Sequence, residues 1–123
     1  MIQLLSVMFG GAVGAGARYL ISLIPLKTDF PLLTLLTNLL GAVLIGAIVG
    51  LNAGGGKLPA NAVLFFKTGL CGGFTTFSTF SLEALTLLER GKTAAGCLYI
   101  AASLLLCLAG VAAGRALALR LLR

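Results

Sequence analysis

A chain of 123 residues that is 59% hydrophobic and only 10% charged, with a mean hydropathy of +1.13, is too apolar for a soluble domain, in which about a quarter of residues are charged. Its net charge of +6 does not point to nucleic acid, because the nine basic residues are scattered between apolar runs rather than gathered on a stripe with aromatics. With no histidine, and with Asp29, Glu83 and Glu89 as the only acids, an enzyme would have little to work with.

Since about 20 mostly apolar residues cross the hydrocarbon core, four spans are expected, in one domain covering 1–123. The first runs from Gln3 to Ile24. Its first seventeen residues carry no side-chain charge and so lack the basic segment of a cleavable signal; it is expected to stay as a membrane helix. Arg18 lies near its end. The second span runs from Pro31 to Asn52, with Thr34 and Asn38 one turn apart as a polar stripe. The third, Leu58 to Leu88, is longer than one span requires. It holds Lys67 near its start and Glu83 near its end, and between them the stretch GLCGGFTTFSTFSLE, Gly69 to Glu83. Glycine disfavours helix, so Gly72-Gly73 predicts a break there, with freed carbonyls and N–H groups that need polar partners. Beyond the break Phe74, Phe77 and Phe80 form a drifting stripe beside the hydroxyls of Thr75, Thr76, Ser78, Thr79 and Ser81. The fourth span, Thr93 to Gly114, places Tyr99, Ser103 and Cys107 on a single face.

The loops between spans are short, which forces antiparallel neighbours and a compact bundle. Gly10 with Gly14, Gly46 with Gly50 and Gly110 with Gly114 have the spacing that lets helix backbones approach closely, and they read as packing signals. Cys71, Cys97 and Cys107 form no C-x-x-C pair and read as reduced packing residues. Asn38 and Glu83 are too short to snorkel; such residues serve either hydrogen bonding between helices or a pathway. With four spans, one side carries Lys57, Arg115, Arg120 and Arg123, and the other Lys27, Arg90 and Lys92 with Arg18 nearby. So even a division of positive charge barely specifies orientation, and insertion both ways with pairing as an antiparallel homodimer is the expectation.

Three motifs, GGAVGAGARY (Gly10 to Tyr19), TLLTNLLG (Thr34 to Gly41 being TLLTNLLG) and GLCGGFTTFSTFSLE, together resemble the small bacterial fluoride channels, the Fluc or CrcB family. The resemblance covers all four spans. It implies an all-α, dual-topology homodimer in a bacterial inner membrane that lets fluoride leave the cytoplasm passively and so relieves fluoride toxicity, with two anion pathways and a structural Na⁺ at the dimer centre. Carried over, it implies that Gly72 and Thr75 offer backbone carbonyls to the Na⁺ and that Phe77 and Phe80 line the pathways. Asn38, Thr34, Ser78, Thr79, Tyr99 and Ser103 fall to the same pathways, while Arg18 and Glu83 match further intramembrane polar positions. Leu33, Thr37 and Cys107 depart from the residues common in that pattern. A dual-topology four-helix antiporter is the alternative. It needs an intramembrane carboxylate for proton exchange, for which Glu83 is the one candidate within the spans. A non-conducting membrane subunit would leave the phenylalanine and hydroxyl stripes unexplained.

Overall fold

The computed structural model describes residues 1–56 and 58–122. Of the residues in the charge tally, Lys57 and Arg123 therefore lie outside the described ones. The described residues form four helices without a strand: the first Ile2–Ser22, the second Leu32–Ala53, a third in two halves, and the fourth Thr93–Leu121. The first, second and fourth are each long and apolar enough to cross a membrane. The fourth runs beyond the expected end at Gly114. Its 29 residues reach about 43 Å at 1.5 Å per residue, against a hydrocarbon core of about 30 Å; the Ala and Leu residues around Arg115 and Arg120 favour helix and nothing stops it earlier.

The front half of the third helix comprises Ala60–Val63, a π-helical stretch Leu64–Cys71 and a final turn Gly72–Phe74; the rear half is Phe77–Glu89. The break thus falls at Thr75 and Thr76, not at the glycines as expected. Gly72 is helical, with φ −65° and ψ −37°, whereas Thr75 and Thr76 are extended, with ψ 155° and 114°. The reason is chemical. Thr76 is the N-cap of the rear half, its hydroxyl accepting from the Thr79 N–H at 3.2 Å, and a threonine in that position favours a helix start.

The glycines serve contact instead. A Cβ on Gly73 would strike the Gly11 carbonyl oxygen, and one on Gly14 would lie 2.8 Å from Phe74 N. A Cβ on Gly69 would lie 2.7 Å from Val7 O, so the first helix and the front half interlock from both sides. Helices two and four interlock likewise: a Cβ on Gly114 would strike Val43 O, and one on Gly50 would lie 2.7 Å from Arg115 O. All three expected glycine pairs are buried in these seams. By contrast, a Cβ on Gly72 meets nothing within 4 Å. Gly72→Ala should leave the thermal unfolding of a single detergent-solubilised chain within about 0.5 kcal/mol of the parent, while Gly73→Ala should cost about 1–3 kcal/mol by overpacking. Equal unfolding of the two variants would contradict the packing described.

The rear half ends at Gly91, whose φ of 73° suits glycine. There Lys92 N–H donates to Leu87 O and Gly91 N–H to Leu88 O, a Schellman closure. Lys92 then pairs with Asp29, tying this turn to the loop between the first two helices. The hydrogen bond from Lys92, with its charge, holds the Asp29 carboxyl below the usual carboxylate range. A small core of Leu35, Phe80, Ala84, Leu87 and Tyr99, flanked by Phe30 and Ile100, joins the rear half to helices two and four.

Candidate functional site

At Thr75 the helical ladder fails, and side chains from neighbouring helices take over its bonds. Asn38 of the second helix donates its Nδ2 to Thr76 O at 3.1 Å and accepts from Thr76 N at 2.7 Å. That two-point contact consumes the N–H which a continuing helix would give to Gly72 O. The Thr79 N–H, which would close on Thr75 O, goes to the Thr76 hydroxyl. Arg18 of the first helix donates from Nε to Gly73 O at 3.2 Å. The carbonyls of Gly72 and Thr75 are thus left without their helical donors. The Thr75 hydroxyl and N–H both turn back to Cys71 O, at 2.8 and 3.0 Å.

One turn and a half into the rear half, Glu83 sits among three helices. Its Oε1 accepts from the Thr34 hydroxyl at 2.8 Å and its Oε2 from the Tyr99 hydroxyl at 2.7 Å. Among the described residues the carboxylate has no ion-pair partner, the one ion pair being Lys92 with Asp29. Tyr99 is 0% exposed. One turn along the same face Ser103 is also buried, and its Oγ has no hydrogen-bond partner; a buried hydroxyl without a partner costs about 1–3 kcal/mol.

The aromatic residues form a chain beside these polar groups. Phe77 and Phe80 have ring centroids 5.4 Å apart, Phe80 and Tyr99 5.3 Å, and Tyr99 meets Phe30 edge-on at 5.5 Å. Phe80 is 8% exposed and Phe77 is 75% exposed, so the run of rings goes from the core to an open face of the molecule. Phe30, in the loop before the second helix, was not among the expected site residues, and no periodic signal in the sequence marks it.

Two recesses flank the break. One, of about 340 Å³, opens on the face that carries Phe77 and is lined by Asn38, Lys67, Gly72, Thr75, Thr76 and Cys107 among others. The other, of about 120 Å³, is lined by Arg18, Ser22, Thr34, Thr37, Thr79 and Glu83 among others. Asn38, Thr34, Thr79, Phe77, Phe80, Tyr99 and Glu83 are therefore brought together around the break and the rear half. Ser78 is exposed, its Oγ 3.4 Å from the Thr76 hydroxyl. Thr37 is buried and its hydroxyl is spent on Leu33 O of its own helix at 2.7 Å. Lys67, near the start of the third helix, lines the larger recess.

Residues 5–115 match the family model described as CrcB-like protein, Camphor Resistance (CrcB). The chain is 45% identical over 123 residues to the fluoride-specific ion channel FluC of Ruminiclostridium cellulolyticum, covering 96% of this chain and 93% of that one. It is 44% identical over 112 residues to the protein of the same name from Anaeromyxobacter dehalogenans, covering 89% of each. To that of a Ruegeria species it is 47% identical over 118 residues, covering 93% of this chain and 92% of the relative.

Proposed function

The chain belongs to the CrcB family, and from that premise we propose that it is a fluoride-selective channel, not an enzyme, working as an antiparallel homodimer whose broken third helix completes four membrane crossings. The observation that carries this reading is the run of packed aromatic rings and uncharged donors that leads from exposed Phe77 through Phe80 to Tyr99 and Ser103. Fluoride is small and strongly hydrated, so a pathway must replace its water with directed donors, yet bind loosely enough for release. Ring edges and neutral N–H and O–H groups meet both demands.

Asn38 uses one amide N–H on Thr76 O and keeps the other for an anion in the larger recess. Thr34 and Tyr99 hold their hydroxyl protons toward Glu83. An arriving fluoride competes with the carboxylate for those same donors, and Glu83 recovers them when the ion moves on. Ser103 offers a further hydroxyl on that face, while Ser78 and Thr79 supply donors at the start of the rear half. Passive efflux down such a track would relieve fluoride toxicity in a bacterial cytoplasm, with the protein in the inner membrane.

A second copy explains the open face. Phe77, Gly72 and the larger recess lie outside the protomer's own packing, and the near-even charge division of the loops permits insertion in both senses. The break also fits a small hard cation, because the oxygens of Gly72 and Thr75 have lost their helical donors and Gly72 bears no side chain to cover them. A Na⁺ bound there at the dimer centre would neutralise the partial negative charge of these carbonyls and join the two copies.

Asn38→Asp tests the pathway in fluoride-loaded liposomes. The variant sets a negative acceptor against the Thr76 carbonyl and in the path of an anion, and should lower fluoride efflux by roughly tenfold or more, the effect of about 1.4 kcal/mol. Efflux at the parent rate would return Asn38 to helix packing alone.

A further inference from the structure

Side chains of two different helices grip the backbone at the break. Arg18 reaches Gly73 O through Nε, and Asn38 takes both the N–H and the carbonyl of Thr76. Each carbonyl so occupied, Gly73 and Thr76, directly follows one that has lost its helical donor, Gly72 and Thr75. Among the described residues Arg18 has no ion-pair partner to account for its place: Glu83 lines the same recess, but its two oxygens accept from Thr34 and Tyr99. What Arg18 visibly does is donate to a backbone oxygen that the interrupted helix cannot satisfy.

We propose that Arg18 is a positioning residue whose Nε, rather than its charge, clamps the backbone of the break with Asn38 and so selects Gly72 and Thr75 as the carbonyls that stay free. Without the clamp, Gly73 O competes for the donors of the rear half's first turn, and the break loses its single geometry. The structural claim is independent of what the protein conducts; only its activity readout rests on the channel reading.

Two substitutions separate the donor from the charge. Glutamine carries its amide nitrogen at the same number of bonds from Cα as arginine Nε, without the charge. Lysine keeps the charge but has a methylene at that point and its nitrogen one bond farther out. The test compares Arg18→Gln and Arg18→Lys in the full-length protein, by fluoride efflux from liposomes and by hydrogen exchange of the backbone amides of residues 72–79. Arg18→Gln should keep efflux within about threefold of the parent with parent-like exchange, whereas Arg18→Lys should lose roughly tenfold in efflux and gain roughly tenfold in exchange rate, the scale of one hydrogen bond.

Lysine performing as well as glutamine or better, by either measure, overturns the proposal. So does failure of Arg18→Gln to fold. Failure of Arg18→Lys to fold, beside a folded Arg18→Gln with parent-like exchange, supports it. If the parent itself releases no fluoride, the channel reading fails, and the exchange comparison still decides the clamp.

Discussion

Phe80→Ile and Phe77→Ile should each lower fluoride efflux by roughly a hundredfold, about 2.7 kcal/mol, while the protein elutes from a sizing column as the parent does. The two rings are in contact, and Phe80 continues to Tyr99, so the run of rings passes through both. A ring is electron-poor at its edge, and isoleucine supplies apolar bulk without that edge. The effects on stability should differ. Phe80 lies in the core and touches two aromatic neighbours, each worth about 0.5–1.5 kcal/mol beyond burial, so its replacement should also lower the unfolding temperature. Phe77 is 75% exposed in the protomer, and its replacement should leave protomer unfolding nearly unchanged. Phe74 is the control, since its ring abuts Gly41 and packs the second helix against the third; Phe74→Ile should be milder in efflux. All three variants conducting at the parent rate would make the stripe core filler.

Gly114→Leu should abolish the folded protein. The Cβ alone would strike the backbone oxygen of Val43, and the Ala47 amide nitrogen lies 3.0 Å away, so no flexible side chain can move aside. Helices two and four would have to separate along the seam that Gly46 and Gly50 share with Val111 and Arg115. Small residues permit this approach, and overpacking it should cost about 3 kcal/mol or more. Gly16→Ala provides the contrast, because nothing lies within 4 Å of its Cβ position. Size-exclusion chromatography in detergent should show aggregate for Gly114→Leu and the parent peak for Gly16→Ala. A normal peak for Gly114→Leu would mean that the seam is not packed as described.

The helices were legible because apolar runs bounded by Pro25, the Gly54–Gly56 loop and Gly91 carry their own length signal, and the small-residue pairs announced which faces would meet. The break was legible in kind but displaced. Gly72 and Gly73 look like breakers in one dimension, whereas Gly73 is used for contact against Gly11, Gly72 stays helical with open space beside it, and the ladder fails at the threonine cap that follows. Thr34, Glu83 and Tyr99 each stood out as polar residues in an apolar setting, but their convergence belongs to the packing of three helices and has no local sequence signal. The same holds for Arg18 reaching Gly73, 55 residues away, and for Asn38 pairing with Thr76, 38 residues away.

Passive fluoride conduction is tested most directly in liposomes loaded with potassium fluoride and diluted into fluoride-free buffer. A lone anion leaving builds an opposing voltage, so the channel predicts that fluoride stays inside until a potassium ionophore is added and then flows out without any pH gradient. Release that ignores the ionophore and follows an imposed pH gradient, or no release in either condition, would contradict it.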